Sequence, residues 1–187
     1  RYSPHNQAED SRLRTFLKTR LNLSITQTDA IVRSTTDEVW SQIDCRQCAH
    51  CCRTLEVVVD SADVKRLAAR LKVTPADFSR RYVQTAEDRT MHLAASPCPF
   101  LGEDNLCTVY EDRPSDCRDF PYLHERHFVS RSMMMIDNTA ICPIVFTVWQ
   151  ALKKRLGFRR GARGRQTPAA GFPATHSRPR RGRRRIS

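Results

Sequence analysis

The sequence predicts an α+β fold, a small cysteine-rich domain placed behind a pair of helices and ahead of a basic tail. Three observations point there. Apolar residues recur at helical spacing in several segments, with short β-branched runs and turn signals between them. All eight cysteines fall between residues 45 and 142. After residue 158 the chain is rich in Arg, Gly, Pro and Ala and nearly empty of large apolar residues. With 187 residues, 40% of them hydrophobic and 28% charged, there is material for one modest core with extensions rather than two full domains. The division that follows is a helical segment over 1–43, a cysteine domain over 44–157 and a disordered tail over 158–187.

In the first segment Leu13, Phe16, Leu17 and Leu21 repeat near a 3.6-residue period among Arg14, Lys18 and Arg20, which predicts a helix. A second helix is predicted over 26–43, with Ile31, Val32, Val39, Trp40 and Ile43 as its apolar positions. Both read as cover for the core. Residues 45–52 hold four cysteines in eight positions, which suits a tight loop or a helix start. Residues 54–59 are β-branched and apolar and predict a strand.

Asp60 or Ser61 then caps a helix whose stripe is Val64, Leu67, Ala68 and Leu71. Thr74-Pro75-Ala76-Asp77 signals another start, with Phe78, Tyr82 and Val83 turned inward. A strand over 90–95 leads into Ser96-Pro97-Cys98-Pro99, a turn follows at 102–105, and 106–110 reads as a short returning strand. Arg113-Pro114-Ser115-Asp116 opens a short helix that carries Cys117. Residues 127–136, with Met133, Met134 and Met135, are predicted as a strand whose methionines fill the core. Cys142-Pro143 opens an apolar helix through Val145, Val148, Trp149, Leu152 and Leu156.

The cysteines are Cys45, Cys48, Cys51, Cys52, Cys98, Cys107, Cys117 and Cys142. Thiols used as small core residues would not leave both ends empty while crowding four into eight positions. A disulfide framework or thiolate metal ligation would explain the pattern. No hydrophobic leader opens the sequence, and no apolar run approaches the roughly 18–20 residues of a membrane-spanning helix. The expectation is therefore a cytoplasmic protein without a membrane span, in a compartment where disulfides are rare. A bridge between the neighbours Cys51 and Cys52 is strained, and bridges from both would crowd each other. Metal ligation is the favoured reading, which makes this a metal-stabilised domain.

Cys45, Cys48 and Cys51 form C-x2-C-x2-C, and Cys52 follows at once. A C-x2-C turn points two sulfurs inward, in zinc and iron–sulfur sites alike. Three at this spacing are closer to the bacterial ferredoxin run, in which consecutive cysteines wrap a cuboidal cluster. Neighbouring Cys51 and Cys52 do not readily aim at one atom, so one of them serves a second site, bridges or packs. Cys98, Cys107, Cys117 and Cys142 follow at gaps of eight, nine and twenty-four residues, which match hairpins and helix starts. Eight thiols suffice for two four-coordinate ions, or for one cluster with several cysteines left over. The spacing leaves both arrangements open, and leaves open zinc or an iron–sulfur cluster, with a 4Fe–4S cluster favoured.

Cys45-Arg46-Gln47-Cys48-Ala49-His50-Cys51-Cys52 resembles the C-x2-C-x2-C-C signature of the YkgJ-like cysteine cluster family, a zinc- or iron-chelating domain. Cys98-Pro99-Phe100-Leu101 and Leu106-Cys107-Thr108-Val109-Tyr110 resemble its second block. Arg113-Pro114, Cys117-Arg118, Phe120-Pro121 and the closing Cys142-Pro143 follow in that family's order. The resemblance runs over residues 44–144, just over half the chain, and takes in all eight cysteines. It implies metal binding and says less about activity. A similar module occurs in flagellin lysine methylases, where an iron–sulfur centre is implicated. This sequence has no glycine-rich nucleotide loop of the Rossmann kind, so the resemblance carries over metal binding and not methyl transfer.

Arg46, Arg53, Arg113 and Arg118 flank the cysteines, where guanidinium groups would lower thiol pKa values and offset an anionic site. His50 and the pair His124 and His127 are secondary metal candidates, although eight thiols already suffice. Thiols engaged by metal are poor nucleophiles, and no flavin or nicotinamide motif accompanies them, so no catalytic residue is assigned.

The net charge of +12 belongs to the tail. Ten arginines and no acid follow Phe158, which leaves about +2 for the rest when those ten are subtracted. Such a tail attracts RNA, DNA or an anionic surface in a salt-sensitive way, with only Phe158 and Phe172 available for base stacking. The predicted function is an iron–sulfur or zinc protein with an electron-transfer or accessory role toward a protein partner. The alternative is a zinc-stabilised adaptor whose tail contacts RNA or another polyanion.

Overall fold

The structure is a computed structural model that describes residues 7–158. Among these residues the order is α1 (Gln7–Thr19), α2 (Ile25–Trp40), α3 (Cys45–Cys48), α4 (His50–Thr54), α5 (Ser61–Leu71), α6 (Pro75–Tyr82), β1 (Val83–Thr85), β2 (Met91–Leu93), α7 (Ser115–Asp119), α8 (Phe128–Thr139) and α9 (Pro143–Arg155). A 3-10 turn at Tyr110–Asp112 precedes α7. The strands pair antiparallel, with Val83 opposite Leu93 and Thr85 opposite Met91. The architecture is mostly helical with one small sheet, which is α+β in its coarse form.

Apolar residues gather into two cores. One is a helical packing of Leu13 and Leu17 of α1, Val32 and Val39 of α2, Phe128 and Met135 of α8, and Ile144, Val148 and Trp149 of α9. The other joins Val64 and Leu67 of α5, Phe78 of α6, Leu93 of β2, and Phe100 and Val109 from the loop before α7. The helices begin where their caps dictate. Ser24 and Gln27 close a reciprocal capping box on α2, Asp60 and Asp63 do the same on α5, and Thr74 with Pro75 starts α6.

Some segments depart from the sequence expectation. Thr54 completes α4, and in the run that follows only Val58 forms a bridge, to His92. The Val58 N–H turns away from the sheet and donates to Asp116 Oδ2 at 3.0 Å, so a carboxylate takes the place of a neighbouring strand. β1 lies where the end of a helix was expected, and it is the true partner of β2. The returning strand over 106–110 reduces to a single bridge between Leu101 and Cys107.

The largest correction is residues 127–136, which form the start of α8 rather than a strand. Phe128, Ser132, Met135 and Thr139 are buried at helical spacing, while Met133 and Met134 face outward, so only Met135 fills the core. No local residue caps this helix. Asp29 of α2 accepts from the His127 and Phe128 N–H groups at 2.8 and 3.0 Å, a cap supplied from about a hundred residues away. No described helix is long and apolar enough to cross a membrane. The arginine tail beyond Phe158 lies outside the described residues.

The N-terminal helix is held by charge as well as by packing. Lys153 Nζ of α9 lies 2.9 Å from Glu9 Oε1 and 2.8 Å from Asp10 Oδ1, all three buried, and Asp10 Oδ1 also accepts from Trp149 Nε1 at 2.7 Å. Removing the ammonium would leave two carboxylates together in a low-dielectric site. Lys153→Ala is expected to destabilise the fold by about 3–5 kcal/mol, read as a shift of the urea unfolding midpoint.

Candidate metal centre

The two cores meet at a cavity of about 180 Å³, and all eight cysteines line it. None is in a disulfide; Cys142 is buried and the other seven are half-buried. They arrive on separate pieces of chain: Cys45 and Cys48 on α3, Cys51 and Cys52 on α4, Cys98 and Cys107 on the loop between β2 and α7, Cys117 on α7, and Cys142 at the start of α9. Trp40, Leu55, Phe100, Phe120 and Ile141 supply much of the apolar wall between them.

The first four cysteines are placed by a reversal between two single-turn helices. Asp44 caps α3 by accepting from Arg46 N–H at 3.0 Å, and its carboxylate takes the Arg46 guanidinium through two contacts of 3.1 Å. That guanidinium holds Asp44 below its ordinary carboxylate pKa. Ala49 then adopts the left-handed conformation, with φ 49° and ψ 15°, while nearly fully buried. It ends α3 and begins α4, so that the second pair of thiols returns to the cavity. The left-handed region tolerates a small side chain and penalises a β-branched one.

The later cysteines are tied to the first by main-chain and carboxylate bonds. Cys98 N–H donates to the Cys52 carbonyl at 2.8 Å. A tight turn follows, in which Gly102 N–H donates to Leu106 O at 2.8 Å and brings Cys107 back toward Cys98. A Cβ on Gly102 would meet Asp104 Oδ1 at 2.7 Å and the Leu106 carbonyl at 3.2 Å. α7 has no side-chain cap of its own, since Pro114 precedes it. Asp63 of α5 provides one in trans, accepting from Ser115 N–H and Oγ–H at 3.1 Å each. Burial alone would raise the Asp63 pKa; bonds from Arg66, Asp60 and Ser115 outweigh it and lower it. From α7, Asp116 accepts from both Val58 N–H and the Tyr122 hydroxyl, which fixes Cys117 against the cavity.

Burial sets most of the thiol chemistry. It raises the pKa of Cys45, Cys98, Cys107 and Cys142, and pushes Cys117 up to about 12. Nearby thiolates add to this at several positions, and Arg113 opposes it at Cys45 and Cys107. Arg113 is itself held over the Tyr110 ring, 3.9 Å from the centroid. Cys51 and Cys52 have sulfurs 4.0 Å apart. The hydrogen bond between them raises Cys51 and lowers Cys52 to about 7, with Arg53 assisting at Cys52.

Of the four flanking arginines, Arg46, Arg113 and Arg118 line the cavity, while Arg53 braces its rim through Cys48 O and Asn105. His50 also lines it. His124 and His127 do not: His124 pairs with Asp37 at 2.8 Å, and His127 precedes α8 in a left-handed conformation. Asp63 and Tyr122 were not singled out from the sequence, where nothing local distinguishes them from ordinary surface residues, and Asp116 was read only as part of a helix start. Their signal is the missing cap of α7 and the single-bridge strand beside it.

The donor set suits a metal. Thiolates are soft ligands that select zinc, copper(I) or iron–sulfur centres, and they repel one another unless a cation offsets their charge. Among the described residues no three His, Cys, Asp or Glu side chains stand close enough to enclose an ion as placed, so the sulfurs ring the cavity without already forming a coordination polyhedron.

A small α+β domain that gathers its cysteines on one cavity is, as a class, a cysteine-cluster metal-binding domain. Residues 44–143 match the CxxCxxCC family, described as a "putative zinc- or iron-chelating domain", and the chain belongs to that family. No curated protein and no solved structure matches the chain.

The Cys51–Cys52 pair has a direct chemical consequence. In reduced, metal-free protein, Cys52 is expected to react fastest with iodoacetamide, with a half-maximal rate near pH 7 and falling reactivity below it as the thiolate is protonated. Cys51→Ala removes the hydrogen-bonding partner and should move that midpoint upward. Peptide mass spectrometry across a pH series reads both effects.

Proposed function

We propose that the chain is a metal-centre protein in which Cys45, Cys48, Cys51, Cys52, Cys98, Cys107, Cys117 and Cys142 are the ligands and residues 44–157 are the unit they organise. The observation that carries this reading is the convergence of eight unpaired thiols, from separate segments, on one cavity. An iron–sulfur cluster, 4Fe–4S rather than zinc, is the preferred occupant. Two features support it. C-x2-C-x2-C spacing suits a cuboidal cluster, and the cavity of about 180 Å³ is roomy for a bare ion, whose thiolates would close in to about 2.3 Å.

When bound, such a cluster supplies one-electron chemistry or a rigid cross-link. The protein's own residues would set its environment. Arg113 and Arg46 balance thiolate charge, Trp40, Phe100 and Phe120 keep water from the sulfurs, and Asp63 and Asp116 hold the short helix that carries Cys117. Electron transfer or an accessory role toward a partner protein in the cytoplasm follows from this reading.

Protein purified anaerobically is expected to be brown, with iron, acid-labile sulfide and a visible band bleached by dithionite. Colourless protein with stoichiometric zinc would replace the cluster with a structural zinc site.

The ten arginines beyond residue 158 favour a second reading, a zinc-stabilised adaptor that holds RNA or another polyanion. Truncation after Gly157 should then abolish salt-sensitive RNA binding and leave metal content unchanged. Equal binding by the truncated and full chains in a salt titration would remove the tail from the function.

A further inference from the structure

The eight thiols do not form one undivided group. Cys142 lies in the helical core, and Cys45 packs against that same core. Cys98, Cys107 and Cys117 pack against the other core, with Val109 and Phe100. The remaining three sit on the α3–α4 reversal between them. Cys48 is three residues after Cys45 on one helical turn, so the two share a face. Cys52 is drawn the other way, because its carbonyl holds the Cys98 N–H at 2.8 Å. Cys51 and Cys52 are successive residues on α4, where side chains diverge by about 100° per residue. Their sulfurs are nonetheless 4.0 Å apart, so the two thiols touch where the two groups meet.

We propose that the cysteines make two separate tetrathiolate centres, one from Cys45, Cys48, Cys51 and Cys142 and the other from Cys52, Cys98, Cys107 and Cys117. Each takes one metal unit, an ion or a single cluster, and the Cys51–Cys52 peptide is the seam between them. The proposal rests on the metal-binding reading above and deepens it.

The first quartet has a chemical logic of its own, a run of three thiols at two-residue intervals completed by a distant Cys-Pro, the way consecutive cysteines share out adjacent clusters in two-cluster ferredoxins. The second quartet draws on the hairpin around Gly102 and on α7. Closing either one around a metal takes side-chain movement, since the sulfurs now ring the cavity.

The test is a Co2+ titration of the full-length, reduced, metal-free chain under anaerobic conditions, with Co2+ reporting through its thiolate charge-transfer and tetrahedral d–d bands. Two equivalents should bind, both with the spectrum of four thiolates. Cys45→Ser with Cys142→Ser should leave one equivalent with that spectrum. Cys98→Ser with Cys117→Ser should do the same, whereas Cys48→Ser with Cys107→Ser should disrupt both centres.

Because a double variant can fail to fold, the wild-type chain is also alkylated with N-ethylmaleimide at one equivalent of Co2+. Molecules with no, four or eight protected thiols are expected, and each protected four should be one of the two quartets. A single equivalent at saturation, or a protected four containing both Cys51 and Cys52, overturns the division while leaving metal binding intact. No Co2+ uptake and no protection would overturn the metal-binding reading itself.

Discussion

The dominant physical constraint is the placement of eight thiols around one apolar-walled cavity. A thiolate in such a place loses hydration and feels its neighbours, and both effects favour the protonated form, as the raised pKa values of most of these cysteines record. Bound cations reverse the balance, since the charges that repel one another become ligands. The surrounding structure makes sense as the apparatus that keeps these groups together in spite of that cost. Arg113, held over the Tyr110 ring at the cavity wall, offsets part of it at Cys45 and Cys107.

The elements that carry the cysteines are too short to hold themselves. α3, α4 and α7 span four or five residues each, far below the length at which a helix is stable alone. Their stability comes from elsewhere. Asp63 caps α7 from another helix, Asp116 ties α7 to the chain at Val58, and the Cys52 carbonyl anchors the Cys98 loop. Acidic side chains acting across the fold recur in this protein, for Asp29 caps α8 and Asp10 with Glu9 fastens α1 to Lys153 of α9. The regular cores on either side give these long-range bonds something rigid to pull against.

Long, strongly periodic or well-capped segments were legible from the residues. α1, α2, α5, α6 and α9 carry both an apolar stripe and, in most cases, a local start signal such as Asp60, Thr74-Pro75 or Pro143. The short helix bearing Cys117 was also foreseen, from Arg113-Pro114-Ser115-Asp116. α8 was not, because its cap is Asp29 on α2 and a run of Phe, Val and Met imitates a strand. The extended run after Thr54 was overread for a related reason: β-branched residues favour extended backbone, but the run meets β2 only around Val58, through Val59 N–H to Met91 O and Leu93 N–H to Val57 O, and its other edge is occupied by Asp116.

Residue identity and order alone establish the family, the two-residue spacing of the first thiols and the confinement of all eight cysteines to the middle of the chain. These are local facts of residue identity and order, and local order suffices to read them. Only the tertiary packing brings two cores together at one cavity, with Cys142 and Cys45 against the helical core and Cys98, Cys107 and Cys117 against the other. It also decided that His124 goes to Asp37 and not toward the sulfurs. Those outcomes depend on groups separated by tens of residues, whose meeting is set by the packing of the two cores and by bonds from distant carboxylates. No spacing within a motif carries that information.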